Sequence, residues 1–545
     1  MDTKETMGEM SDNDSSDSSV EESTPETDLL IEQPTHHPIF ENVTLEGRDS
    51  SRPSIHILSD DCIYLVLEYL DVIEIMQLAT VCKRWYNLCI NKMSLVSKIE
   101  LNPTFSIFRL NRPLSQSNFI SLLGLTGQNL IQLDVSNSSL RLDWASCKAI
   151  SELCPRLEEL NLSKMKINNK LATCFSQFLP RNLKSLILNG CVHFKEKCLE
   201  HILRNSKELT KLDLSYNHKI TGGCIMKQLE KNKMTHFNFT ECYRLKPIAV
   251  QFVLANFENT LEHLDLSLCP GNIFNISTDQ MPILKKLKVF NVKSLVDDSQ
   301  PTCDIMTNFI RLMPNLEVLD LENNYNIDMD KFVGTLSQLC PNIRHLNLSC
   351  CMPKNAQSLS SLSLLQHLDT LHLNELPKRF DYKELVDSTL VHCSKLKYIS
   401  LQASCVDDES VFALIAGLKN LQTIDLRSCI LPLDGTFIIL CQDLDRQEPL
   451  KVLAQDTVMQ EEEFSLIPVF LHINFGLPHF QDDYDGFFGG PYDEFEDGFG
   501  FDNVDYLDED DFWGGAYVDE AGQFGGPGYD YHPDYQEVDE DGGWW

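Results

Sequence analysis

Leu157–Ser163 reads LEELNLS, and the same phrase returns at Leu183 (LKSLILNGC), Leu209 (LTKLDLS), Leu261 (LEHLDLSLC), Leu316 (LEVLDL), Ile343 (IRHLNLSCC) and Leu421 (LQTIDLRSC). Looser copies open at Leu130, Met234, Leu287, Leu368 and Leu396, which makes twelve starts in all. The 291 residues between the first and last start, spread over eleven intervals, give a period of about 26. A short pattern held in phase over that distance marks a chain built from stacked, similar coils.

Each coil needs a strand and a return element. In L-x-L, side chains two apart point the same way, so Leu160 and Leu162 face the interior while Glu159, Asn161 and Ser163 face out. Between strands the apolar period becomes helical: Val411, Leu414, Ile415 and Leu418 form one stripe, and Phe332, Leu336 and Leu339 another. The fold class expected is α/β, a solenoid with parallel strands on a concave face and helices outside. Twelve strands at about 4.8 Å spacing give an arc of about 55 Å, long enough for a protein ligand.

The cysteines keep the same phase. Cys191, Cys242, Cys269, Cys350 and Cys429 come just after a strand, and Cys154, Cys340 and Cys393 precede one. Without a paired C-x-x-C they read as reduced core residues and not as metal ligands. From Leu130 to about Leu440 the chain resembles the cysteine-containing class of leucine-rich repeats. That class is commonly joined to an F-box.

Upstream, residues 55–102 have a different texture. Ser59 before Asp60 and Asp61 starts a helix with the stripe Ile63, Leu67, Leu70; Asp71 caps the next, with Glu74 three residues on; Trp85 and Leu88 anchor a third. This stretch resembles an F-box at Leu58, at Ile63, Leu65 and Leu67, at Tyr69-Leu70-Asp71 and at Val81-Cys82-Lys83-Arg84-Trp85. Ser59 and Val72 stand where the family has Pro, and Ser94-Leu95 where it has Leu-Trp. The resemblance implies that Leu58, Ile63, Leu67, Leu70, Ile75, Leu78, Val81 and Trp85 divide between an inner core and a face bound by the Skp-type adaptor of Skp–cullin–F-box ligases. A module of about 45 residues buries little surface and is expected to need a partner.

Function on a solenoid is expected in the outward strand residues. Their middle position is Asp or Asn in most coils, as in Asp134, Asn161, Asp213, Asn238, Asp265, Asp320, Asn347 and Asp425, which reads as a ladder of side-chain hydrogen bonds. The more variable positions give the candidates for target contact: His236, His263, His345, His372, Tyr398 and Arg427. The four histidines lie in different coils, so a metal site is not expected.

Charge is concentrated at the ends. The net charge is −36, of which residues 1–54 hold −11 (14 acidic, 3 basic) and residues 481–545 hold −21 (21 acidic, none basic), leaving −4 between them. The first 54 residues read as a disordered, Ser-rich arm. The last 65 contain 17 aromatics among Gly and acids and read as a disordered, adhesive tail. The expected domains are therefore 1–54, the F-box at 55–102, the solenoid with a C-terminal cap at 103–480, and the tail at 481–545. The acidic opening lacks an apolar leader and no segment is long enough to span a bilayer, so a soluble protein of the cytoplasm and/or nucleus is expected. Excess negative charge disfavours nucleic acid, and no P-loop, HExxH or G-x-S-x-G motif points to catalysis or a cofactor. The expectation is a non-enzymatic substrate receptor of a ubiquitin ligase, bound to a Skp-type adaptor, through it to cullin, and to an unidentified protein target. The alternatives are a leucine-rich, acidic-tailed histone chaperone or a scaffold without a ligase link.

Overall fold

The computed structural model describes residues 57–101 and 114–475, apart from breaks at 139, 192–193, 296–300, 378, 430–432, 460–463 and 465. The chain divides into two units, Met1–Pro478 and His479–Trp545, and all described residues fall in the first. The readings of 1–54 and 481–545 therefore lie outside the described residues.

Among the described residues fifteen strands form one sheet, entirely parallel and in chain order, from Lys98–Glu100 to Leu471–Asn474. All twelve coils marked by the Leu motif supply a strand. Three more strands extend the sheet: Lys98–Glu100 in front, Leu450–Leu453 and Leu471–Asn474 behind. Register confirms that they are true coils, since Ile99 pairs with Leu133, Val452 with Ile424 and Ile473 with Val452. Val96, Pro449 and Phe470 consequently occupy the place where Leu, or in two coils Met234 and Ile343, opens the other repeats. The return elements are mostly helices, including Met329–Leu339 and Asp408–Gly417, with 3-10 turns at Gly271–Phe274 and Ala356–Leu364. Strands pair at about 4.8 Å while helices pack at about 8–10 Å, so a stack of such coils curves toward its sheet.

Most strands are only three residues long because a sharp bend follows each. Three residues past the strand end the backbone turns left-handed, at Asn137, Lys164, Gly190, Tyr216, Glu241, Leu268 and onward to Ser428. A left-handed conformation costs an L-residue about 1–2 kcal/mol. The bend is held because the turned residue's N–H donates to the next coil, as in Lys164 to Asn189 O (2.8 Å), Tyr216 to Thr240 O (2.7 Å) and Glu241 to Ser267 O (3.0 Å).

The next residue closes the coil from inside. Asn217 donates its amide to the carbonyls of Leu188 and Leu214 (2.8 Å each), and Asn324 donates to Val292 O (2.8 Å). At the equivalent position Cys191, Cys242, Cys269, Cys351 and Cys429 direct Sγ at a carbonyl of the preceding coil, 3.0–3.3 Å away. The expected Cys350 is displaced from this row: it takes the left-handed bend (φ 56°), and Cys351 fills the interior place. All these thiols are free. Burial pushes Cys191, Cys269, Cys351 and Cys429 up to about 12, which leaves them uncharged and unreactive.

One apolar core runs without interruption from Ile63 to Leu471. Amide donation at Asn217 serves two buried carbonyls, whereas a thiol serves one weakly. Asn217→Leu is therefore expected to cost about 2–4 kcal/mol in urea unfolding, and Cys242→Ala about 1–2 kcal/mol.

Candidate functional site

The N-terminal module consists of α1 (Asp60–Leu67), α2 (Val72–Leu78) and α3 (Lys83–Met93). Ser59 caps α1, its hydroxyl accepting from Cys62 N at 3.3 Å. Asp71 and Glu74 form a reciprocal capping box on α2, each accepting the other's backbone N–H at 2.8 Å. Two of the departures from the F-box pattern thus sit at helix starts, where Ser59 supplies a cap and Val72 occupies N1 with its side chain buried, and the third, Ser94-Leu95, follows the end of α3. Arg84 ties α3 to the start of α1 through Asp60 Oδ1 (2.6 and 2.8 Å) and Leu58 O (2.6 Å).

Burial sorts the eight residues singled out in this module. Ile63, Leu67, Ile75 and Trp85 are interior, Leu70 and Leu78 half-buried, and Leu58 and Val81 exposed. The interior four hold the helices together and join the solenoid core. Size alone therefore does not oblige this module to find a partner, because the solenoid already completes its core. What does invite one is its bare side. Leu65 (59% exposed), Val66 (43%) and Tyr69 (87%) project from α1 and its end, and Val81 (56%) lies before α3. Leu65, Val66 and Tyr69 are not among the contacts that the sequence singles out. Their signal was that α1 is apolar nearly all round, more than one buried face requires.

On the sheet, the Asp/Asn row works as a structural ladder. Asn161 donates to Asp134 (2.9 Å), Asn238 to Asp213 (3.3 Å) and Asn291 to Asp265 (2.9 Å), and each Oδ1 of Asp134, Asn161, Asp213 and Asp265 accepts the N–H two residues on. That turn draws Ser136, Ser163, Ser215, Ser267 and Ser349 into burial, so the third outward position is closed to ligands in those coils.

The six candidates for target contact fall into separate groups. His236 and His263 pair across neighbouring strands with rings stacked at 5.6 Å and 10°. Burial holds both below the ordinary histidine range, and Lys211 adds to the effect. His345 is exposed on its own strand opposite Val318 and Thr370. His372 lies against Tyr398 at 5.2 Å, and burial lowers its pKa too. Tyr398 donates to Asp425 Oδ2 (3.1 Å), as does Gln402 (2.8 Å). Arg427 forks the same carboxylate at 3.0 and 2.8 Å. Burial pushes the Asp425 carboxyl up, but the guanidinium outweighs it and holds the group below the usual range. The charge of Arg427 is thus committed to Asp425 and is not free for a ligand.

The family model for the F-box domain matches residues 55–97. Among solved structures, the chain is similar to one titled "Crystal structure of Rad7 and Elc1 complex in yeast", with 18% identity, a TM-score of 0.44, and coverage of 69% of this chain and 88% of that one. It is also similar to one titled "Crystal structure of TLR13-ssRNA13 complex", with 16% identity and a TM-score of 0.38, covering 70% of this chain and 52% of that one, about half its length. At those identities and scores neither likeness bears on partners or chemistry. The chain carries an F-box domain joined directly to a leucine-rich-repeat solenoid.

The histidine pair gives a pH prediction. Both folded-state pKa values lie below the ordinary 6.5, so the unfolded chain takes up protons first as pH falls. Their contribution is full above about pH 6.5 and declines below it. Thermal unfolding at about pH 7.5 and about pH 5 is expected to show a smaller loss for H236Q/H263Q than for the parent protein.

Proposed function

We propose that this protein is the substrate-recognition subunit of an SCF-type ubiquitin ligase. The observation that carries the reading is the F-box match at 55–97 on a module that leaves Leu65 and Val66 of α1, Tyr69 just past its end, Val81 and Leu58 in solvent. F-box domains bind Skp-type adaptors, and burying each exposed apolar side chain would contribute about 1.5–3 kcal/mol. Five such residues are enough for a stable contact. Leu70 and Leu78, half-buried, would complete it at the edge.

The solenoid then presents a target held on its sheet side, in the cytoplasm and/or nucleus. No catalytic role is assigned to this chain. Cullin, reached through the adaptor, and the remaining subunits would bring a charged ubiquitin carrier close to a target lysine. Rate is gained by raising the effective concentration of the two reactants. The resemblance to the cysteine-containing repeat class agrees with this pairing of modules.

The test is affinity purification of the full chain from cells, beside the variant L65D/V81D. Both substituted residues are exposed, so the variant is expected to keep the parent's melting temperature, which a charge at buried Leu67 would not allow. A Skp-type adaptor and cullin should accompany the parent and fall by about tenfold or more with the variant, equivalent to at least about 1.4 kcal/mol. Equal recovery by both, or by neither, would overturn the reading.

A further inference from the structure

The loops leaving the strands of four successive coils form a surface distinct from the sheet face. Their strands are Glu159–Asn161, Ser185–Ile187, Lys211–Asp213 and His236–Asn238. Lys164, Gly190 and Tyr216 occupy the same left-handed position in the first three. A Cβ on Gly190 would lie 3.7 Å from Tyr216 Cβ and 3.9 Å from Lys164 Cγ, so the three bends stand side by side and the glycine adds no side chain between the tyrosine and the lysine. One coil further, His218 and Tyr243 stack at 4.6 Å and 11°. Glu241 fixes them both, its carbonyl contacting His218 Nδ1 (3.0 Å) and its carboxylate accepting from the Tyr243 hydroxyl (3.0 Å).

Tyr243 also walls a shallow cleft with Thr221, Arg244, Lys246, Pro270 and Asn272. Lys164, Arg244 and Lys246 are exposed, and among the described residues none of the three enters an ion pair. Glu196 borders the cleft at Thr221, and its oxygens accept the N–H groups of Thr221 (2.8 Å) and Cys224 (2.7 Å), so its contacts are to backbone donors and not to Arg244 or Lys246. The result is a strip of unpaired cations alternating with exposed rings.

We infer that this edge receives an acidic segment of the target protein, carboxylate or phosphate groups meeting Lys164, Arg244 and Lys246 while a neighbouring apolar or aromatic side chain lies against Tyr216 and Tyr243. The inference rests on the receptor reading and adds to it the chemistry of the target. Four coils at about 4.8 Å match about five residues of extended peptide. A peptide is favoured over nucleic acid because Asp213 and Asp265 stand on the strands next to this edge without an ion pair among the described residues, and Glu241 lies within it. A continuous phosphate backbone would meet those carboxylates, whereas a short peptide can place its one or two acids on the cations alone.

The experiment uses full-length protein and fluorescence anisotropy with three labelled probes: the peptide Gly-Glu-Phe-Glu-Glu-Phe-Glu-Gly, the same peptide with phosphoserine for the central glutamates, and single-stranded oligothymidylate. The parent protein is expected to bind a peptide in a salt-sensitive manner, and R244E/K246E to weaken it by about tenfold or more. Tighter binding of the phosphorylated peptide assigns phosphate as the acid recognised, and equal binding assigns carboxylate. K164E, on a separate coil, is a second variant expected to act in the same direction should the double variant melt early. Failure of both peptides to bind, or unchanged binding by R244E/K246E and K164E, overturns the inference; preferential binding of the oligothymidylate, lost in R244E/K246E, replaces it with a nucleic-acid site. Adaptor recovery measured on the same variants separates the two claims: recovery intact with no peptide binding removes this inference alone, and peptide binding without adaptor removes the receptor reading alone.

Discussion

Everything in this molecule depends on backbone groups finding partners in the neighbouring coil. A three-residue strand has no stability of its own, and the bend that ends it is unfavourable for every residue there except Gly190. Both are held because N–H groups of one coil meet carbonyls of the next, at the strand, at the bend, and once more from inside through Asn217, Asn324 or a buried thiol. Leucines fill the space between, but the hydrogen bonds set the pitch. Stability of this kind is shared between neighbours and is weakest at the two ends.

The N-terminal end of the stack is covered by the F-box helices. Because the core runs on from Ile63 into the solenoid, the module is braced by the array and does not fold as a loose appendage. Asn129 extends this brace by donating its amide to Ser94 O at 2.8 Å. Such a joint suits a receptor, since a rigid link fixes the distance between whatever binds α1 and whatever binds the repeats. The surface then divides by chemistry: apolar residues on the helices, histidine and aromatic groups on the sheet, and cations with rings along one loop edge.

Much of this was legible in the residues. The Leu period disclosed twelve of the strands, Asp71 and Glu74 announced their capping box, and the Asp/Asn row was readable as a ladder because an amide and a carboxylate at one register complement each other. Three strands escaped because Val96, Pro449 and Phe470 replace the opening Leu, and because the first and last of them lie 34 and 21 residues from the adjoining repeat, outside the common spacing. Cys350 and Cys351 could not be told apart because sequence does not reveal which of two adjacent residues takes the left-handed bend. The division of the F-box residues also waited for coordinates, since a helix apolar on several sides does not declare which side is inside. Arg427 looked free in sequence, and only the geometry shows its charge spent on Asp425 two residues away.

If the bare side of the F-box helices is an adaptor surface held rigidly against an independent target-binding array, adaptor binding should protect that module and leave the repeats unchanged. Hydrogen exchange of the full chain, with and without a saturating purified Skp-type adaptor, tests it directly. Slower exchange is expected in peptides spanning 57–95, with unchanged exchange in the strands from Gln132 to Asp425. No added protection in 57–95, or protection confined to the repeats, would contradict it.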